Sequence, residues 1–564
     1  MTVIEPPDDA IPTLADEQWS RLVRFAADAE PVPAGTWLYR PGDQTPDMIL
    51  IEDGHVQVLR PPAPGESGYA TVVRFGSHQF SGELNLLTGQ TAYLGVCADE
   101  DGAVVRRLSP EGLHAVMAQD PEVSDLLLRT MLARRNFLRE SDAARSLELV
   151  GGGMSATALA LRTFAARAQL PHTWTDADTV AGAGLMRAVG AGPEQLPIAI
   201  TTNGVLLKAT PGVLAAHLGL SYRAPAGNRT VDLVVIGAGP AGLAAAVYGA
   251  SEGLVTQVLE ATAVGGQAAA SSRIENYLGF TSGISGGELT STAAVQAEKF
   301  GARIASPCPV ASLRPEGDIV GLTLADATEL TARAVVIATG ARYRALPLDR
   351  WADFEGAGIY HAATEIEARA CTDNPVAVVG GANSAGQAAL FLAGHGSRVS
   401  LVLRGPDLNA RMSAYLTERI LAHPRIRVHT DTQISALHGD TRLEAITLRA
   451  STPAQQGEGD AARTLGLQPC SGLFCFIGAT PATDWLSGLA TDEKGFLRTD
   501  AQLTEDDLAG PWRTLGRRPL PFETSEPLIF AAGDVRSGSM KRVAAAVGEG
   551  ASAVSSVHAA LGRH

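Results

Sequence analysis

The apolar positions of this chain change period three times, and the changes divide it into regions. Up to about residue 146, short alternating segments (TWLYRPGD, DMILIEDGHVQVLR, TVVRFGSHQF, LGVCADEDGAVVRRL) are separated by turn residues roughly every ten positions. That pattern predicts a small β-roll or jelly roll. A helical stretch from about Ser109 to Leu147 follows, with Ser109-Pro110 as its start signal and Leu126, Leu127, Thr130, Met131 and Leu138 at helical spacing. Its arginines, Arg129, Arg134, Arg135 and Arg139, are read as a solvated face. From 147 to 225 the order is βαβαββα: LELVGGG, MSATALALRTFAARAQ, HTWTDA, TVAGAGLMRAVGA, a hairpin turning at Asn203-Gly204, and a helix opening at Thr210-Pro211. From about 226 onward strands and helices alternate, and a glycine-rich strand–turn–helix occurs twice, at Val231 and at Val376. AGNR (226–229) is the expected linker.

Length and charge narrow the picture. A chain of 564 residues is expected to hold roughly three to five domains. A net charge of −15 argues against nucleic acid and against an anionic membrane surface. Anionic cofactors must then be held by local devices such as helix N-termini. The acidic, proline-rich start MTVIEPPDDAIP is not a secretory signal. The apolar run from Val231 to Ala250 contains four glycines and one proline, so it reads as a strand, turn and helix rather than a membrane span. Five cysteines give no disulfide framework, which points to a reducing cytoplasm. No metal cluster is expected.

The first glycine motif is the strongest signal. The strand VDLVVIG runs into Gly237, Gly239 and Gly242, with Pro240 and Ala241 between the last two. Gly237 permits the tight turn, Gly239 lets backbone approach a pyrophosphate, and Gly242 lets helix pack on strand. The pyrophosphate would rest on the helix N-terminus. A second strand ends at Glu260, eighteen residues after Gly242, where a carboxylate takes adenosine ribose hydroxyls. In the second motif Gly380, Ala382 and Ala385 fill the glycine positions, with Asn383 and Ser384 between the last two. Its second strand ends in Arg404, which suits a 2′-phosphate and favours NADPH over NADH. The strand ending in Gly533-Asp534 leads to a helix expected near Lys541, whose N-terminus would favour negative charge nearby.

GAGPAG, Gly265-Gly266-Gln267, IENYLGF, VVIATGA, VAVVGGANSAGQAA, FIGATPAT, IFAAGDV and KRVAAAVGEGASA, in that order, resemble the low-molecular-weight thioredoxin reductases over roughly 230–560. The resemblance implies an FAD domain in two parts (226–345 and 473–564) interrupted by an NAD(P)H domain (346–472). It implies that Gln267, Asn276 and Asp534 lie against the flavin or its ribityl chain. Ala338, Thr339, Gly340, Arg542 and Ala544 complete the expected cofactor contacts. Val543 stands where the family usually has a glutamine. The family's Cys-x-x-Cys falls at about Ala363 to Ile366, and neither position is cysteine. Cys371 has no partner at that spacing, and Cys470 and Cys475 are read as packed thiols. A relay through an internal dithiol therefore cannot run by the usual route, and no residue is assigned as catalytic.

The middle region resembles glutaredoxin- or thioredoxin-like domains, with Leu196-Pro197 at the cis-proline position and GGMSAT (152–157) where cysteines belong. FSGELNLLTGQTAYLG (80–95) resembles the phosphate-binding cassette of cyclic-nucleotide-binding domains over about 15–145, and Gly82, Glu83 and Leu84 match it. The cassette's arginine position holds Ala92. Cyclic AMP, another nucleotide, and a degenerate cassette used for docking all stay open. The chain is expected to be a multidomain, cytoplasmic, homodimeric flavoprotein that moves electrons from NADPH or NADH through FAD to an acceptor other than an internal dithiol. Two alternatives are a non-catalytic FAD-binding sensor or scaffold, and a thioredoxin reductase whose disulfide is supplied wholly by its partner.

Overall fold

The computed structural model describes residues 6–43, 47–62, 68–82, 86, 91–141, 146–153, 155–222, 230–271, 274, 276–355, 357–361, 363, 365–451, 464–508 and 510–562. The alternating N-terminal segments form an antiparallel sheet in the order Glu30–Val32, Gly95–Leu108, Met48–Arg60, Ala70–Phe75, with Trp37–Tyr39 also on Gly95–Leu108. The two long strands bend where their register shifts at Gly54. Gly54 has φ +79, and a Cβ there would lie 2.6 Å from the Gly102 carbonyl oxygen, so only glycine lets them roll together.

The helical stretch expected after Ser109 is made of two helices, Pro110–Gln119 and Pro121–Glu140. The Ser109 hydroxyl caps the first, accepting from the Gly112 N–H at 3.1 Å. Asp120 ends it and caps the second, accepting from the Val123 N–H at 3.1 Å, because Pro121 cannot continue a helix. The solvated-face reading of the arginines needs correcting at Arg134, which is 5% exposed, while Arg129 is exposed beside Asp125.

The middle region has the expected βαβαββα order. Leu147–Gly151 pairs parallel with Thr173–Asp176 and antiparallel with Ile198–Thr201, which turns through Asn203 into Gly204–Leu206. Helices Ala156–Arg167, Val180–Ala188 and Pro211–His217 cover the sheet, and the Leu196–Pro197 peptide is cis.

The third region holds two large sheets, a three-stranded sheet and a two-stranded ribbon. One runs Arg303–Ala305, Thr256–Leu259, Val231–Ile236, Glu329–Ile337, Ile319–Leu324, Val310–Glu316, and Ile529–Ala531 returns from the C-terminal part to lie parallel on Glu329–Ile337. The second sheet, wholly parallel, runs Ile359–Tyr360, Gly472–Cys475, Pro375–Val379, Arg398–Val402, Ile426–His429, and a three-stranded antiparallel sheet lies beside it. Gly472–Cys475 is the second strand in that order, so the inserted unit reaches Cys475 rather than ending at 472. The chain enters and leaves it through one antiparallel ribbon, Ala341–Tyr343 on Ala479–Pro481.

The units pack on one another. Val295 of helix Gly286–Lys299 joins the N-terminal core cluster of Leu14, Trp19, Leu22 and Met131. Leu159 of the middle domain packs on the core of the inserted unit.

Candidate functional site

The first site is built where the buried strand Val231–Ile236 ends. Gly237 has φ +106, and a Cβ there would sit 2.4 Å from the Ala338 carbonyl oxygen. No side chain fits, and the turn brings strand end and neighbouring strand end together. A Cβ on Gly242 would lie 1.8 Å from the Gly237 carbonyl oxygen, so helix Pro240–Ser251 packs as closely as backbone allows. Gly239, its N-cap, faces Gly266. Gly265 and Gly266 both have positive φ, and a Cβ on Gly266 would meet the Gly239 Cα at 3.0 Å. The helix N-terminus thus opens on a cradle walled by backbone on both sides. Gly533 packs on the start of this helix: a Cβ on it would meet the Ala241 side chain at 2.8 Å.

Glu260 is buried at the end of Thr256–Leu259. Its carboxylate accepts from the Ala238 N–H at 2.7 Å, from the Thr262 N–H at 2.9 Å and from the Thr262 hydroxyl at 3.1 Å. Gln267 donates through Nε2 to the Ala341 carbonyl. Thr339 donates to the Ala482 carbonyl at 3.0 Å, and the Gly340 carbonyl accepts from the Ala482 N–H at 3.0 Å, which ties the glycine cradle to the connecting ribbon. Asn276 is exposed.

Asp534 sits in the short turn Gly533–Val535. Burial pushes its carboxyl up from the usual range; Lys541 opposes the rise and Glu549 adds to it. Glu549 was not singled out by sequence reasoning. Its carboxylate accepts from the Gly533 N–H at 2.7 Å and from Arg536 at 3.0 Å, so it holds the turn carrying Asp534. The helix after it starts at Val543 with Arg542 as N-cap, two residues beyond Lys541, and Ala544 lies in its first turn.

The second glycine turn repeats the plan on Pro375–Val379. Gly380 has φ +146, and a Cβ there would meet the Phe476 carbonyl oxygen at 2.5 Å. Ala382 is the N-cap of helix Asn383–Gly394, and Ser384 lies in its first turn. The Asn383 side chain accepts from the Ser413 N–H at 2.8 Å, and Ala385 is buried against the sheet. Arg404 stands exposed just past Arg398–Val402.

In the N-terminal unit Gly82 has φ +129, while Glu83 and Leu84 lie outside the described residues. Beside Gly82 is a small pocket lined by Tyr39, Val58, Phe75, Ser81, Leu94 and Arg134 among others. The Arg134 guanidinium donates to the carbonyls of Ala10 at 2.7 Å, Gly82 at 2.8 Å and Phe80 at 2.8 Å, and it lies between the rings of Phe75 and Phe80. Ala92 is buried, and the Ser81 hydroxyl is buried with no hydrogen-bond partner among the described residues.

A family model described as pyridine nucleotide-disulphide oxidoreductase matches residues 231–550. The chain belongs to this family. It is an NAD(P)H-dependent flavoprotein oxidoreductase of thioredoxin-reductase type. A second model, for cyclic nucleotide-binding domains, matches residues 29–120. The thioredoxin reductase of Streptomyces clavuligerus is 32% identical over 324 residues, covering 57% of this chain and 91% of that protein. That of Treponema pallidum is 32% identical over 320 residues, covering 57% and 94%. Among solved structures, Lactococcus lactis thioredoxin reductase in its FR conformation is 28% identical with a TM-score of 0.51, covering 59% of this chain and 99% of that one. T. acidophilum thioredoxin reductase is 27% identical with a TM-score of 0.50, covering 59% and 98%.

All five cysteines are free. Burial pushes Cys308, Cys371, Cys470 and Cys475 up to about 12, so almost none is thiolate near neutral pH. Cys371 packs on one face of the inserted sheet, and Cys470 and Cys475 on the other. Ala363, at the first position of the missing pair, is buried; the side chain of Ile366 lies outside the described residues, as does Met154 in the middle domain. No cluster suited to a metal ion occurs among the described residues, and no helix there is long and apolar enough to cross a membrane.

The cradle around Gly237, Gly239 and Gly266, with the buried acceptor Glu260, fits a dinucleotide such as FAD: any Cβ would fill it, and its walls are backbone. The Gly380 turn fits a second nucleotide with one methyl, that of Ala382, at its rim.

Proposed function

We propose that this flavoprotein draws electrons from NADPH in preference to NADH and passes them through FAD to an acceptor other than an internal dithiol. The observation that carries this reading is the pairing of two built nucleotide turns with the lack of cysteine from Ala363 to Ile366 and the burial of Cys371, Cys470 and Cys475, whose thiols are pushed up to about 12. Bound FAD supplies two-electron storage between nicotinamide and acceptor. The protein's part is placement. The N-terminus of helix Pro240–Ser251 takes the pyrophosphate and Glu260 the adenosine ribose. Gln267, Asn276 and Asp534 border the flavin, and Glu549 keeps the Asp534 turn in place. Val543 to Ala544 present a helix N-terminus that favours negative charge on that side. Arg404 supports NADPH, because its guanidinium suits a phosphate at the end of the second strand.

The other parts of the reading are that the N-terminal domain binds a nucleotide that regulates the flavoprotein, that residues 147–222 form a thioredoxin-like domain without thiol chemistry, and that the protein is a cytoplasmic homodimer. Supporting the first are the pocket beside Gly82 and the buried hydroxyl of Ser81. Anaerobic titration with NADPH tests the central claim: the flavin absorbance bleaches within seconds, and oxidised acceptors such as quinones restore it. A flavin that stays oxidised under excess NADPH refutes it and favours a scaffold.

A further inference from the structure

The face of the inserted domain that would serve a protein partner is already covered. Thiol–disulfide exchange needs sulfur to reach sulfur, so a partner of a dithiol at 363–366 has to sit on this segment. In this chain residues beside that segment meet the middle domain. Leu159, on helix Ala156–Arg167, packs against the cluster that contains Tyr360, Ala363, Ala368 and Cys371. Arg162, three residues on and therefore on the same side of the helix, lies in the field of Glu367 and Arg369 from the inserted domain and of Asp176 from its own. Its guanidinium is stacked on Trp174, 4.4 Å from the ring centre. Burial lowers its proton affinity, and Glu367, itself 8% exposed, and Asp176 act against that. An apolar side chain and a cation on one helix thus meet an apolar patch and a buried carboxylate on the other domain. The docking helix begins one residue after Ser155, inside the segment 152–157 where a thioredoxin-like domain would carry its own cysteines.

We propose that residues 147–222 occupy the partner face of the inserted domain in cis, as a thiol-free stand-in that excludes separate thioredoxin-like proteins. The proposal rests on the thioredoxin-like reading of this domain given above. It explains why the motif positions of both domains lack cysteine while both domains keep their cores: the contact is structural, and neither side exchanges disulfides. Electrons then leave at the flavin rather than through this face.

The test uses the full-length flavoprotein and its Leu159→Glu/Arg162→Glu variant. Amide hydrogen exchange across 360–371 is expected to be at least tenfold faster in the variant. A fluorescently labelled thioredoxin with both active-site cysteines changed to serine is expected to bind the variant at least tenfold more tightly than the wild type, by anisotropy. Unchanged exchange overturns the docking, and equal binding by the two chains, including none by either, overturns the exclusion. An FAD-to-protein ratio equal to wild type shows that the variant is folded; should the double variant lose FAD, Arg162→Gln gives the same comparison. NADPH bleaching of the flavin, followed in both chains, keeps a failure of the electron-transfer reading separate from a failure of this one.

Discussion

Glu298 offers the sharpest energetic test of how the N-terminal domain is joined to the flavin domain. It lies in the last turn of helix Gly286–Lys299, one turn after Val295, which is buried in the N-terminal core. Burial raises its carboxyl from 4.5 to about 7, and Arg135 of the N-terminal helix Pro121–Glu140 opposes the rise. The shift is upward, so the associated stability is fully present below about 4.5 and is lost as pH climbs through about 7. Ionising such a group in the folded state costs roughly 3 kcal/mol. Glu298→Gln removes the charge and keeps the shape. Its stability relative to wild type should therefore grow by roughly 2 kcal/mol between about pH 5 and about pH 8. With an unfolding entropy of about 2 cal/mol/K per residue, that is about 2 °C of Tm if the whole chain unfolds together, and more if a smaller unit yields first. Differential scanning fluorimetry of the two proteins across this range measures it. A difference in Tm that stays constant with pH refutes the assignment of the cost to Glu298.

Three further outcomes follow from the sites. Arg404→Ala should raise KM for NADPH about tenfold and leave that for NADH nearly unchanged, since one charge-assisted phosphate contact is worth roughly 1.5–3 kcal/mol; steady-state kinetics with both nucleotides decide it. Gly237→Ala places a Cβ 2.4 Å from the Ala338 carbonyl oxygen at φ +106, so the purified protein should lose most of its FAD, read from flavin absorbance per chain. Cys371, Cys470 and Cys475 should resist alkylation in the native protein at neutral pH and react after denaturation, as their thiols are pushed up to about 12; mass spectrometry after iodoacetamide checks this.

The parts of the fold that depend on local backbone demands were legible in the sequence. Gly237, Gly242 and Gly380 sit where a side chain would strike a carbonyl oxygen, so their spacing along the chain is enough to announce the turn. The Asn203-Gly204 hairpin and the Ser109 and Thr210 caps follow from equally local chemistry. What stayed hidden depends on distant partners. Arg134 looks like one of several arginines on a helix, and only the carbonyls of Ala10, Phe80 and Gly82, supplied from more than 50 residues away, turn it into a buried anchor. Glu549 lies in a run of small residues, and its role needs the Gly533 turn, sixteen residues back, to fold against it. The strand Gly472–Cys475 was placed across a boundary because a short apolar run does not say which of two sheets it will join.

Positions fixed by packing and positions fixed by chemistry obey different physics. A glycine under a carbonyl, or a buried strand residue such as Val378, is fixed by packing; changing it costs stability whatever the protein does. A redox thiol is fixed only by its chemistry. At Ala363 a buried methyl fills the place, and the core around it remains closed. The nucleotide turns, under both kinds of constraint, keep their backbone geometry. A chain drifting out of use would lose the two kinds of constraint together where function alone demands them, at Glu260, Arg404 and Asp534 as much as at the thiols. Those three positions still carry the carboxylates and the guanidinium that nucleotide binding asks for, which supports the proposal of a different electron acceptor over that of a scaffold.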